Sequence, residues 1–558
     1  MKNTFKNKVT NFLDTIKTSK ARIILFIILC LIVTKACTTV TYLSVNYLLA
    51  SPISTVTMLT PYSILMFCVH LGFWTCFLLL CARSRIIAYT LLPLIIISQA
   101  AINFAVFTYG VENKEMVIAV LNATTAEAGL YSSDVLMSRL PFVLIAAFGI
   151  AYLVRKLLSF PISKKVHYLL ISMGFIGSIT FLTLPQLIKK QWIEGAMACI
   201  EYYDTMHPEY RTWPIHRSKE SVLKEAVLIG DEYDRCYQPL NVVIDACVSL
   251  YDFYNPPALK KAEEEPSEIV WENLPQTVVL YIGESTRADH CALNGYNRST
   301  MPGIEKENNI INFPNVHCLK THTIASIYQF LVLNNPKYKE PTHNSFLGIL
   351  KKHGYNLDLL VGANTEGMWY NTPTIAPLLS GNVTLHSRPK SAEEYACAMH
   401  QIQQKHSNNF IMIEDGAGHA PFISESIIKP FGEDTKIDCY DNAIIDIDRR
   451  LCAIIETMRD KDALLFFTAD HGESLGENNR WGHGGPTTIQ EQTHVCSFIW
   501  YSDSYASNHP EIIEKLKKNA QGFTSHAQLY HTIISICGIK SSVQIDDLDL
   551  TKDTDNKN

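Results

Sequence analysis

Five stretches of this chain are apolar over a length that crosses a bilayer, which takes roughly 20 residues. They run approximately through 23–49, 62–82, 86–109, 138–158 and 167–187. No other feature constrains the fold as much. Backbone groups in hydrocarbon must bond within a helix or a closed barrel, so the stretches are predicted to be transmembrane helices. The first lacks a small-residue cleavage site and is too long for a simple signal peptide, so it is expected to remain as an anchor. The short loops set the orientation. Lys17, Lys20 and Arg22 precede the first span, Arg83 and Arg85 separate the second from the third, and Arg155, Lys156, Lys164 and Lys165 separate the fourth from the fifth. The loop 50–61 carries no charge, and 110–137 carries Glu112, Glu115, Glu127 and Asp134 against Lys114. Basic loops stay cytoplasmic. The N-terminus is therefore expected inside and everything after residue 187 outside, which for a bacterium is an inner-membrane protein with its soluble part in the periplasm.

At 558 residues the chain exceeds one ordinary domain. The expected division is 1–187 as a transmembrane domain, 188–275 as an amphipathic and helical connector, 276–545 as a periplasmic domain and 546–558 as a polar tail. Net charge of −6 gives no reason to expect a nucleic-acid partner. Of fifteen cysteines, ten lie at or beyond Cys199; outside the cytoplasm some of these are expected to pair. No Cys-x-x-Cys suggests a zinc or redox motif. In the connector, Trp192, Tyr202 and Tyr203 suit a membrane surface or ordinary packing equally. Segments 218–229 and 241–254 are expected to be helical, and 260–268 charged and exposed.

From Thr277 apolar strands alternate with helices. Strands are predicted at 277–282, 357–361, 409–413, 463–467 and 497–501, and helices at 440–458 and 526–537, among others. Such alternation implies a mainly parallel α/β sheet covered on both faces, with sites beyond the carboxyl ends of the strands. There stand Glu284 after the first strand, Glu414 to His419 after the third, and Asp470-His471 after the fourth. Glu284, Asp470 and His471 make a donor set that suits zinc with one position left over; an Asp-His pair equally serves to hydrogen-bond a loop. Thr321 and Thr323 precede an apolar helical run; on residue type alone a threonine there is an N-cap, although a helix start also stabilises a phosphate.

Several motifs share one family. Gly283-Glu284-Ser285-Thr286-Arg287-Ala288-Asp289 with Asn294-Gly295-Tyr296, Tyr440-Asp441-Asn442, and Asp470-His471-Gly472-Glu473-Ser474-Leu475-Gly476-Glu477-Asn478 resemble those of the bacterial phosphoethanolamine transferases. That family includes lipid A-modifying and polymyxin (colistin) resistance enzymes of the alkaline phosphatase/sulfatase superfamily. The order of parts is similar too, across nearly the whole chain. The resemblance implies an α-helical five-span membrane domain plus a periplasmic α/β catalytic domain of alkaline phosphatase/sulfatase type. It implies zinc as cofactor, one ion tightly bound with a second left open, on Glu284, Asp470, His471 and the nucleophile Thr323. His419 and His483 would face the substrate phosphate or the second zinc, and Glu127 would hold the ethanolamine ammonium. Donor and acceptor would be phosphatidylethanolamine and lipopolysaccharide, met at the membrane by a monomer.

The chain departs from the family at three places. Leu319-Lys320-Thr321 stands where the lipid A branch has Cys-Gly-Thr, so the usual local disulfide is not expected, with Cys318 left as another pairing candidate. Glu414 stands where relatives often have a histidine. Ala119 and Ala123 replace polar residues ahead of Glu127. Other readings of the same constellation are a phosphoglycerol transferase of the lipoteichoic acid synthase type and a sulfatase or phosphatase in which water is the acceptor. No Cys/Ser-x-Pro-x-Arg setting for formylglycine lies near Thr323. His290 is expected to hydrogen-bond within its motif, His494, His526 and His531 to be surface or packing residues, and Lys320 to be solvated.

Overall fold

The computed structural model describes 74–97 and 137–157, some isolated positions, and 251–553 apart from 252, 257, 334–340, 362–368, 423–428, 478–479, 485–486, 488 and 523–524; position 82 is also excepted. Span 23–49, Glu127 and the helices expected at 218–229 and most of 241–254 lie outside the described residues. The chain divides into two compact units, one holding 1–112 and 134–246, the other 113–133 and 247–558.

In the first unit a 21-residue helix, Met137–Leu157, ends on Arg155 and Lys156. A small apolar core of Leu78, Leu79, Cys81, Ala88, Leu92, Ala151 and Val154 ties it to a preceding helix pair. Among the described residues no single helix is long and apolar enough to cross a membrane; the pair Trp74–Cys81 and Arg85–Ile97, bent by 106°, passes that test together by length and composition. Phe142, Ile145, Phe148, Tyr152 and Leu153 on the long helix are exposed.

The second unit is built on a seven-stranded sheet. Its strands are β2 (Thr277–Gly283), β3 (Ile310–Asn312), β4 (Asn356–Val361), β5 (Thr384–Ser387), β6 (Asn409–Asp415), β7 (Ala463–Ala469) and β10 (Ser497–Tyr501), in the order β3-β10-β7-β2-β6-β4-β5. β7, β2, β6, β4 and β5 are parallel, and β10 turns antiparallel to both neighbours. β2, β6 and β7 are buried at every position, as befits strands covered on both faces.

Successive side chains supply two cores. Val278, Leu280 and Ile282 pack with α1 (Thr323–Leu331) and α4 (Leu529–Ile536). Val279 and Tyr281 pack with α2 (Ala392–Gln403) and α3 (Lys436–Glu456). Helix α3 begins four residues before the expected 440. Thr435 and Asp438 form a capping box there, each side chain bonding the other's backbone N–H at 3.1 and 3.0 Å.

Three short elements complete the unit. β1 (Ser267–Ile269) pairs antiparallel with β11 (Ile539–Ser541), so the end of the segment expected to be an exposed connector is stitched to the sulfur-bearing turn after α4. β8 (Ser474–Leu475) and β9 (Trp481–Gly482) form a hairpin. The start of the expected polar tail also packs down: Leu550 is fully buried, and Asn519 donates to its carbonyl at 2.8 Å.

Candidate active site

The sheet's central strands place the site. Gly283 lies opposite Ala469 on one side and Asp415 on the other, so β7, β2 and β6 end level and release Asp470, Glu284 and the 416–419 turn together. Main-chain bonds fix the level. Glu284 N–H donates to Asp415 O at 2.9 Å, and Asp470 N–H to Gly283 O at 3.0 Å. Gly418 permits the closest approach: a Cβ there would sit 2.0 Å from the Glu284 carbonyl oxygen. Gly418→Ala is therefore expected to displace Glu284 and lower stability by about 3 kcal/mol, read as an earlier thermal melt with reduced metal uptake.

Glu284, Asp470 and His471 are buried, and one ligand atom from each lies within 4.8 Å of the others. His471 Nδ1 donates to Gly472 O at 2.9 Å, which leaves the lone pair on Nε2. That nitrogen lies 3.4 Å from Glu284 Oε1 and 3.3 Å from Asp470 Oδ2. Asp470 Oδ1 accepts from the backbone of Ser285 and His471 at 3.0 and 2.8 Å, while its Oδ2 is buried with no hydrogen bond. Thr323 Oγ1 completes the group, 3.2 Å from Glu284 Oε2 and 3.3 Å from His471 Nε2.

Burial and the neighbouring Glu284 carboxylate push Asp470 up to about 6. Burial holds His471 down to about 4, so it is neutral with its lone pair free. Two carboxylates, one of them with an orphaned oxygen, a neutral imidazole and a hydroxyl form a donor set that fits a divalent cation.

The threonine is not the cap of its helix. His322 occupies that position, its Nδ1 accepting from Ala325 N–H at 3.5 Å, and Thr323 is the first helical residue. The helix start thus presents its unpaired N–H groups at the Thr323 end. Thr321, the nearby alternative hydroxyl, is fully buried.

Sequence reasoning did not single out Ser285 or Glu473 for the site. Ser285 adopts a positive φ of 55°. Its hydroxyl bonds Glu284 Oε1 at 2.9 Å and Glu473 Oε2 at 3.2 Å. Glu473 Oε2 also binds His483 Nδ1 at 2.8 Å. Burial alone would lower His483, but the Glu473 carboxylate outweighs it and raises the imidazole to about 9. The His483 ring stands 4.3 Å from that of His471 and 5.7 Å from that of His419. Of the expected site residues outside Glu127, all therefore lie at one end of the sheet.

Glu414 is buried and pushed up to about 7 by burial, against the opposing pull of Arg388. The remaining motif residues are structural. Tyr440 donates to Ser285 O at 2.6 Å and accepts from Arg287 N–H at 2.9 Å. Asp441 gathers His290, Tyr296 and Arg298 at 2.7–2.9 Å. His526 bonds Thr468 Oγ1 at 3.0 Å and His494 bonds Pro314 O at 2.7 Å. His526 and His531 are buried packing residues, one of the two roles expected of them. Cys318 donates to Gln492 O at 3.4 Å and is a free thiol.

Residues 276–539 match the sulfatase family. The Kdo(2)-lipid A phosphoethanolamine 7''-transferase of Salmonella typhimurium is 29% identical over 296 residues, 47% of this chain and 52% of that protein. Phosphoethanolamine transferase EptA of Escherichia coli is 24% identical over 306 residues, 48% of this chain and 54% of that one. Over its sulfatase-like part the chain is similar to phosphoethanolamine transferases. It spans about half the length of the curated relatives it matches. A solved full-length structure, the integral membrane lipooligosaccharide phosphoethanolamine transferase A (EptA) from Neisseria meningitidis, aligns with a TM-score of 0.62 at 19% identity, covering 94% of this chain and 97% of that one. That likeness carries the fold and no more.

Proposed function

We propose that the chain transfers phosphoethanolamine from phosphatidylethanolamine to lipopolysaccharide, at a lipid A phosphate or a core sugar, through Thr323. The observation that carries this is the Thr323 hydroxyl, 3.2 and 3.3 Å from Glu284 and His471 at a helix start. Glu284, Asp470 and His471 would hold a zinc ion with Thr323 Oγ1, and zinc when bound lowers the pKa of a hydroxyl and offsets the charge of nearby oxygens.

Thr323 Oγ1 gives up its proton to solvent and attacks the donor phosphorus. The bond to the diacylglycerol oxygen breaks, and that oxygen takes a proton from a histidine. His483, cationic at neutral pH beside Glu473, is suited to this role and to binding a phosphoryl oxygen. His419 stands next to it. Phosphoethanolamine is then held on Thr323, with the N–H groups at the start of α1 aimed at it. A hydroxyl or phosphate of the acceptor attacks in turn and restores the threonine.

Glu127 is proposed to hold the ethanolamine ammonium from the loop between spans. The proposed layout is a five-span inner-membrane domain, a connector and a periplasmic catalytic domain acting as a monomer. The exposed apolar side chains of helix Met137–Leu157, with Arg155 and Lys156 at its end, support a lipid-facing helix with a cytoplasmic basic end. Mass spectrometry of lipopolysaccharide from cells with and without the chain tests the acceptor: added phosphoethanolamine is expected, and an unchanged lipopolysaccharide would refute it.

The His483 assignment gives a pH test. Glu473→Gln removes the charge that raises His483, leaving burial to bring it below 6.5. The alkaline limb of kcat is expected to move from about 9 to below 6.5, with activity at pH 8 falling about 30-fold from the lost protonated fraction alone. A pH–rate profile checks it.

A further inference from the structure

Cys291 follows the short turn Ala288–His290 behind the Glu284 loop, and Cys496 immediately precedes β10. Both are fully buried. Their sulfurs are 2.7 Å apart, inside the distance at which two non-bonded sulfurs rest. The backbone holds them there. Ala288 N–H donates to His494 O at 3.0 Å, Cys496 N–H donates to Thr286 O at 3.0 Å, and Arg287 bridges Val495 antiparallel. That ladder keeps the two cysteine residues side by side.

Among the described residues, the surroundings of the pair do not favour a thiolate: Met301 Sδ lies 3.8 Å from Cys291 Sγ, and burial pushes the Cys496 thiol well up. The two are unbonded thiols in the structure, and their close approach places them for oxidation to a disulfide.

We infer that Cys291 and Cys496 are joined by a disulfide in the native protein. The inference rests on the proposed periplasmic placement, which supplies an oxidising compartment. The oxidant is a thiol–disulfide oxidoreductase or a small disulfide such as oxidised glutathione. One cysteine thiolate attacks the oxidant's disulfide to give a mixed disulfide. The second thiolate displaces it, forming the Sγ–Sγ bond. The two cysteines lose two protons and two electrons, and the oxidant departs as two thiols. Because the folded pair is buried, exchange precedes docking of the loop on β10. The link spans 205 residues and clamps the loop that carries Glu284 and Ser285 to the strand next to β7, a long closure of the kind that stabilises most in the chain-entropy view.

The test uses the full chain, extracted from membranes in detergent. Free thiols are alkylated under denaturing, non-reducing conditions, and the digest is mapped by mass spectrometry. A cross-linked peptide pair containing Cys291 and Cys496, released by reductant, is the expected result. Alkylation of both cysteines overturns the inference. A second sample, reduced and then exposed to oxidised glutathione in mild urea, locates the failure: a 291–496 link formed there faults the periplasmic placement, and its absence faults the pairing.

Discussion

Thr323→Ala is expected to lower phosphoethanolamine transfer roughly 1,000-fold or more, because it removes the atom on which the phosphoryl group is carried. Stability should change little. Thr323 is only half-buried, and alanine is the better helix former. The side chain lost makes two polar contacts, both beyond 3.1 Å. Activity and folding are thus separable at this position, and Thr323→Ser should keep part of the rate by keeping the hydroxyl. Transfer of labelled headgroup from phosphatidylethanolamine, measured beside a thermal melt, distinguishes these outcomes. A Thr321→Ala variant belongs in the same series. Thr321 is fully buried, so its loss should act on the melt rather than on the nucleophile.

The second large effect concerns Asp470, where activity and stability are expected to move in opposite directions. Asp470→Asn should reduce transfer about 1,000-fold, equivalent to ~4 kcal/mol of transition-state stabilisation. In chelator-treated protein the same substitution should raise the melting temperature. The sign follows from the raised folded-state pKa. Asp470 goes from the ordinary 3.8 to about 6 on burial beside Glu284. The folded state then binds the proton more tightly than the unfolded chain, so stability is highest below about 4 and falls as pH rises from 3.8 to about 6. Above that window the ionised carboxylate destabilises the metal-free fold by about 3 kcal/mol, which asparagine relieves. A divalent cation reverses the balance. Zinc added at 100 times its Kd should stabilise the wild type by about 2.7 kcal/mol and Asp470→Asn far less. Melts with chelator and with zinc, at pH 4 and pH 7, check the sign.

Much of this arrangement was legible in the sequence for a physical reason. β2, β6 and β7 are buried on both faces, so they read as unbroken apolar runs, and the rule that parallel strands present their sites at their carboxyl ends brought Glu284, His419 and Asp470 together. Edge strands gave no such signal. β3 has three residues, and β5 is mostly exposed. The pairing of β1 with β11 joins residues 270 to 274 apart, and nothing local to either segment announces it. Thr323 shows where resemblance had to assist. Residue type alone made it a cap, a part the structure gives to His322. Glu473 was overlooked although it stands in the Asp470 motif. Its part depends on His483, ten residues on, folding back through the β8–β9 hairpin.

The most direct measurement is the mass of the Thr323 peptide after the purified full-length chain, loaded with zinc, is incubated with phosphatidylethanolamine and no acceptor. The account predicts that this peptide gains the mass of one phosphoethanolamine, that the adduct maps to Thr323, and that added lipopolysaccharide removes it. A chain that releases diacylglycerol with no adduct on Thr323, or carries the adduct on another residue, would contradict it.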